Sequence, residues 1–139
     1  MTLYSTLYKR CLAKINDPTL AMLDDDDLTS MLHGWMVSAI AKHRKCEHDL
    51  SDRDDELGQF NFDLSDLEGE VLGILMAREW VSQQLLSVTN TMQVFSGKET
   101  NYYSQAAHLK ELQALDEKLR LEAQQLSRDY TYTNNEYFD

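Results

Sequence analysis

The chain has 139 residues and a formal net charge of −11, from 24 acids against 13 bases, which is the length of one ordinary domain and too short for two full cores. With five Gly and one Pro it lacks the turn material of a β-sandwich or barrel and of the glycine-rich nucleotide folds. A chain this acidic repels nucleic-acid phosphate unless its bases are gathered in one place.

Hydrophobic residues make up 42% of the chain, enough to bury a core and to argue against global disorder. No apolar run approaches the ~18 residues of a membrane span, and the opening MTLYSTLYKR lacks the pattern of a signal peptide. Cys11 and Cys46 are too few for a disulfide framework and read as reduced thiols of a protein folded in the cytosol.

The first predicted helix runs from Thr2 to Ile15. Leu3, Leu7, Cys11 and Ile15 recur every four residues, with Tyr4, Tyr8 and Leu12 beside them, which makes one apolar stripe. Asn16-Asp17-Pro18 ends it, because the residue before a proline is pushed out of helical angles. A short turn over Thr19–Leu23 can then begin at Pro18.

The second helix starts in Asp24–Asp27, where carboxylates oppose the positive end of the helix dipole and cap free N–H groups. Leu28, Met31, Leu32, Trp35, Met36, Ala39 and Ile40 follow at three- and four-residue steps, and Lys42, His43, Arg44 and Lys45 close it with the sign of charge that suits that end. These two charge runs read first as helix-end chemistry. Cys46–Leu64 is the least regular stretch. Ten acids and one Arg lie between Glu47 and Glu70, so a long, mobile acidic loop is expected, with Ser51–Glu56 kept in solvent by like charge. Phe60 and Phe62 alternate with polar neighbours, which allows a brief extended piece over Gln59–Leu64.

Ser65-Asp66-Leu67-Glu68 fits a capping box and opens the third helix. Leu67, Val71, Leu72, Ile74, Leu75, Ala77, Trp80, Val81, Leu85, Leu86 and Val88 make it apolar around more than half its circumference, so it is predicted to be the central helix. Thr89–Thr100 is the predicted connector. The last helix starts between Gly97 and Ser104 and ends near Asp129, with Leu109, Leu112, Leu115, Leu119 and Leu126 on one stripe. Met22, Met31, Met36, Met76 and Met92 are expected to fill core gaps. Trp35 and Trp80 are expected to touch in the core, with acceptors for their indole N–H groups.

The predicted organisation is thus all-α. About four helices form a small bundle over residues 1–129, with an extended aromatic C-terminal tail over 130–139. Tyr130, Tyr132, Tyr137 and Phe138 give that tail four aromatics, the kind of side chain that anchors in a partner's groove or along its sheet edge. The alternative is that they fold back on the chain's own helices.

Chemical motifs are sparse. His43, Cys46 and His48 form H-x-x-C-x-H, but a closed zinc site needs a fourth ligand, and Lys42, Arg44 and Lys45 oppose a cation. Asp52–Asp63 departs from the calcium loop at its glycine and at its final acid. Gly97-Lys98-Glu99-Thr100 lacks the upstream glycine and the hydroxyl residue of a phosphate loop. No nucleophile elbow, zincin helix or Cys–His pair is visible. We therefore expect no enzyme, no cofactor and no metal.

Leu72–Val88, then Met92-Gln-Val-Phe-Ser-Gly-Lys-Glu, Tyr103-Ser-Gln-Ala-Ala-His-Leu-Lys-Glu-Leu and Arg128-Asp-Tyr-Thr-Tyr resemble the head–tail connector (adaptor, or head-completion) proteins of tailed bacteriophages, over roughly Ser65 to Tyr132. The resemblance implies an all-helical virion protein of the phage neck, assembled in the host cytoplasm. It would form a homo-oligomeric ring, usually of twelve copies, docked on the portal protein. Such a ring extends the DNA channel without binding DNA specifically and presents a surface to stopper or tail-completion proteins. On this chain, Tyr130, Tyr132, Tyr137 and Phe138 would be the portal anchor. The acidic stretch, with Asp52, Asp54, Asp55 and Glu56, would face the channel or the next ring, and Lys9, Arg10 and Lys14 would meet a neighbour's acids. Two other readings stand: an enzyme or regulator whose site carries no sequence mark, and an acidic protein-binding module of the DNA-mimic or anti-defence type, outside the virion. Its acids would need phosphate-like spacing rather than crowding into one loop and the helix starts.

Overall fold

The fold comes from a computed structural model, which describes residues 1–15, 17–43, 49–94 and 99–133. Four α-helices, one 3-10 helix and one two-stranded antiparallel sheet are found among them.

Helix α1 covers Tyr4–Leu12, shorter at both ends than its apolar stripe predicts. At its start Leu3 is extended and bridges Gln59, which takes Thr2 and Leu3 out of the helix. At its end the N–H groups of Lys14 and Ile15 donate three residues back, to Cys11 and Leu12, tightening the last turn. A 3-10 helix follows over Pro18–Met22. Helix α2 covers Asp25–Lys42 and begins as its acids require: the Asp24 carboxylate accepts from the Asp27 N–H at 2.8 Å. Its buried residues Leu32, Trp35, Met36 and Ala39 hold one helical face.

Helix α3, Asp66–Val94, is roughly 44 Å long at the usual rise. Both bonds of the predicted capping box are present: the Glu68 N–H donates to Ser65 Oγ at 3.1 Å, and the Ser65 N–H donates to Glu68 Oε1 at 3.0 Å. Glu68 is consequently buried although acidic. The helix is central, packing against α1, α2 and α4, with Val71, Leu72, Ile74, Met76, Ala77 and Val81 at or near zero exposure. Gly69 and Gly73, one turn apart, face Arg10 of α1. A Cβ at Gly73 would lie 2.9 Å from Arg10 Cβ, so these glycines set how closely α1 approaches. Arg10 then bonds Glu70 at 2.8 Å, and Lys14 pairs with the same carboxylate.

Helix α3 runs beyond the predicted connector's start, and α4 covers Glu99–Thr133. Arg78 Nε donates to Asp116 at 3.0 Å, and Val71 and Leu75 share a cleft with Ala123 and Ser127, so the two helices lie antiparallel. On α4, Leu112, Leu119 and Ala123 are buried and Leu109, Leu115 and Leu126 pack partly against the core, as the leucine stripe requires.

The acidic stretch is corrected by the structure. Residues 44–48 lie outside the described part, but residues 49–64 are built around a small hairpin rather than an irregular loop, with Ser51, Asp52, Asp55 and Glu56 exposed to solvent as expected. Strand β1 (Arg53–Asp54) pairs with β2 (Gln59–Phe60) in the register Arg53 to Phe60 and Asp54 to Gln59. Gly58 supplies the turn with φ of 65°, a region that favours glycine. Phe60 is completely buried. The N-terminal segment adds itself to the hairpin: the Phe60 N–H donates to the Thr2 carbonyl at 2.8 Å, the Thr2 N–H to that of Phe62 at 3.0 Å, and the Tyr4 N–H to that of Gly58 at 2.8 Å. Like charges do not prevent this, because several acids take up local bonds. Asp54 Oδ1 accepts from the N–H groups of Glu56 and Leu57, and Asp52 accepts from Asn61 at 2.9 Å, the turn chemistry typical of Asp.

Three smaller expectations also change. Met22 is exposed, so it fills no gap, whereas Met36 and Met76 are fully buried. Leu86 faces solvent. Trp35 and Trp80 make no ring contact with each other: Trp80 Nε1 donates to Asp17 at 3.0 Å, while the buried Trp35 Nε1 has no acceptor among the described residues.

Candidate functional site

Of the four acids assigned to the ring or channel surface, Asp52, Asp54, Asp55 and Glu56, all lie on or beside the hairpin. They do not play equivalent parts. Asp55 accepts a 2.6 Å hydrogen bond from the Tyr4 hydroxyl, and that bond holds its carboxyl below the usual range. The Tyr4 hydroxyl is shifted upward, first by its burial and then by Asp55. Asp52 and Asp54 each spend one oxygen locally. The Glu56 carboxylate makes no bond among the described residues, and Leu57 beside it is 65% exposed.

Between the hairpin, α1 and α2 lies a groove of about 480 Å³. Tyr4, Tyr8, His33 and Asp55 converge in it, with Leu3 and Leu57 on its rim. His33 Nε2 is 4.0 Å from Asp55, and its Nδ1 is 3.4 Å from the Tyr8 hydroxyl. These are long separations for proton transfer. The short bond, Tyr4 to Asp55, ties the hairpin to α1. Tyr4 also meets Phe60 edge-on, with ring centroids 5.2 Å apart. The groove therefore works chiefly as the joint that seats the hairpin, and it leaves an apolar rim for contact. Sequence reasoning did not find it, because its members come from three separated segments and carry no shared spacing.

The basic residues of α1 are also reassigned. Arg10 and Lys14 are taken by Glu70 of the same chain, and Arg10 reaches Asp66 at 3.3 Å. Burial pushes the Glu70 carboxyl up, but the bonds from Lys14 and Arg10 outweigh it and hold it below its ordinary value. Of the three, Lys9 alone has no acidic partner among the described residues. Several acids of the 47–70 stretch are likewise used internally: Asp63 pairs with the Met1 ammonium, and Glu68 closes the capping box.

The aromatic anchor divides at Thr133. Helix α4 continues to that residue, so Tyr130 and Tyr132 stand on its final turns rather than in an extended tail beginning at residue 130. Tyr137 and Phe138 lie outside the described residues, as do Cys46 and His48 of the H-x-x-C-x-H motif. Cys11 is a free, buried thiol pushed up to about 12, chiefly by that burial, which leaves it protonated and unreactive. No group of three or more metal-ligating side chains is found among the described residues, and no described helix is long and apolar enough to cross a membrane. No protein-family model, curated protein or solved structure matches the chain.

Proposed function

We propose that the chain is a non-catalytic structural protein of the tailed-phage neck, an adaptor whose copies form a ring on the portal, extend the DNA channel and offer a surface to stopper or tail proteins. The observation that carries the reading is the shape and burial of α4. This helix has 35 residues, roughly 52 Å at the usual rise, yet among its described side chains only Leu112, Leu119 and Ala123 are buried. A rod that spends one narrow stripe on its own domain keeps its other faces for neighbours, and this one carries Tyr130 and Tyr132 at its far end. The exposed carboxylates of the hairpin suit a channel or ring surface that repels phosphate, because no counterions are released when DNA passes.

Quantitative mass spectrometry of purified phage particles tests this directly. The expected result is presence of the chain at a ratio near one to the portal. Absence from particles would overturn the neck reading and favour the acidic binding module. Removal of residues beyond Thr133 leaves α4 entire. The shortened chain is expected to melt as the full chain does and to lose co-purification with the portal.

A further inference from the structure

A cleft of about 530 Å³ lies between the end of α2, the first half of α3 and the later part of α4. Acids outnumber bases almost two to one in this chain, yet the charged side chains lining the cleft are Lys42, Arg78, Arg120 and Arg128, with no Asp or Glu among the described residues. Its apolar lining is Val71, Leu75 and Ala123. Three of the four cations have partners outside the lining: Lys42 with Glu79, Arg78 with Asp116 and Arg120 with Glu117. Those pairs do not exhaust them. Arg78 uses only Nε, so its two terminal nitrogens keep their donors. Arg128 has no carboxylate partner among the described residues. The cleft is a cationic socket in which Arg128 lacks a carboxylate partner among the described residues and Arg78 keeps two terminal nitrogens beyond its bond to Asp116.

The chain also carries a knob of matching chemistry. At the hairpin turn, Glu56 has a carboxylate unbonded among the described residues and sits next to the exposed apolar Leu57. The turn is held from behind by the bonds to Asp54 and by the Tyr4–Asp55 contact, so little order is lost when it docks. Knob and socket share no residue: the hairpin turn lies against α1 and α2 at the groove, whereas the cleft is lined by α2, α3 and α4.

We propose that the cationic cleft is the receptor for the hairpin turn of a second copy, with Glu56 meeting Arg128 and Arg78 and Leu57 seated at the mouth of the cleft. The contact joins two different surfaces of one chain. It is therefore heterologous and propagates head to tail, closing into a ring when the rotation between copies allows. It rests on the reading above only in requiring that copies meet.

Sedimentation of the full chain at low salt tests the contact. The wild-type chain is expected to associate with rising concentration, less so as salt is added. Glu56→Arg and Arg128→Glu are each expected to weaken association about tenfold or more, with unchanged circular-dichroism melts. Mixing the two variants sets the reversed knob of one against the reversed socket of the other, and the native knob of the second against the native socket of the first. Position 56 then meets an opposite charge at position 128 in every contact between unlike copies, although Arg78 still opposes the reversed knob, so the mixture is expected to associate more tightly than either variant alone. A wild type that stays monomeric, or single reversals that associate normally, would overturn the contact. So would a mixture that associates no more tightly than either variant alone. Particle composition judges the neck reading separately.

Discussion

The hairpin with its N-terminal strand and the α3–α4 pair are ordered by opposite means. The hairpin region is crowded with carboxylates and has few apolar residues, but Phe60 is fully buried and three backbone bonds fasten it to residues 2–4. The α3–α4 pair is long and leucine-rich, and it is joined by a thin stripe with one cross-helix ion pair among the described residues, Arg78 to Asp116. Net charge therefore does not decide which part of this chain is fixed. One apolar anchor plus satisfied backbone groups can order a segment whose composition reads as a loop.

The sharpest way to break that contrast is Phe60→Ala. It removes the hairpin's anchor, with an expected loss of about 3–5 kcal/mol in urea unfolding. A loss below about 1 kcal/mol would mean that the backbone bonds alone hold the segment. Leu119→Ala on the α4 stripe is expected to cost about 2–3 kcal/mol, the lower part of the range for such truncations, because a seam near the surface can relax. Gly73→Ala tests the α1–α3 approach. Overpacking against the Arg10 stem costs about 1–3 kcal/mol, and better helix propensity returns about 1 kcal/mol. A net loss near 1 kcal/mol is expected in thermal melts, and a gain would show that α1 shifts freely.

An effect of similar size is electrostatic. The Glu70 carboxyl is lowered in the fold, so its contribution is present above its unfolded value, about 4.3, and is lost as pH falls through the lowered folded value. Glu70→Gln is expected to be less stable by about 1 kcal/mol at pH 7. Its urea midpoint should converge on that of the wild type as pH falls through the lowered folded value. Parallel curves across the acid range would remove Arg10 and Lys14 as the cause.

The helices were legible where local chemistry sets them. Asp24 and the Ser65–Glu68 box marked two starts correctly, because caps act within three residues. The apolar excess of α3 announced its central position. What escaped were pairings between distant segments. Nothing local tells that Thr2 joins β2, that Glu70 collects Arg10 and Lys14, or that Gly69 and Gly73 mark a close helix approach. Of the candidate site, the four acids fall on or beside one hairpin that their composition did not announce, and the engagement of Asp55 by Tyr4 depends on a contact 51 positions apart. The end of α4 was misjudged because aromatic and β-branched residues favour strands only weakly, and a continuing helix overrides that preference.

The bonds of Thr2 carry a kinetic consequence. Its hydroxyl accepts from the Leu64 N–H, 62 positions along the chain, so docking the hairpin closes a loop that contains α1 and α2. The α3–α4 pair forms instead between segments adjacent in sequence. Because loop closure must be made before distant contacts reward it, the helical pair should assemble early and the closure late. Weakening Phe60 should then quicken unfolding and leave the folding rate nearly unchanged.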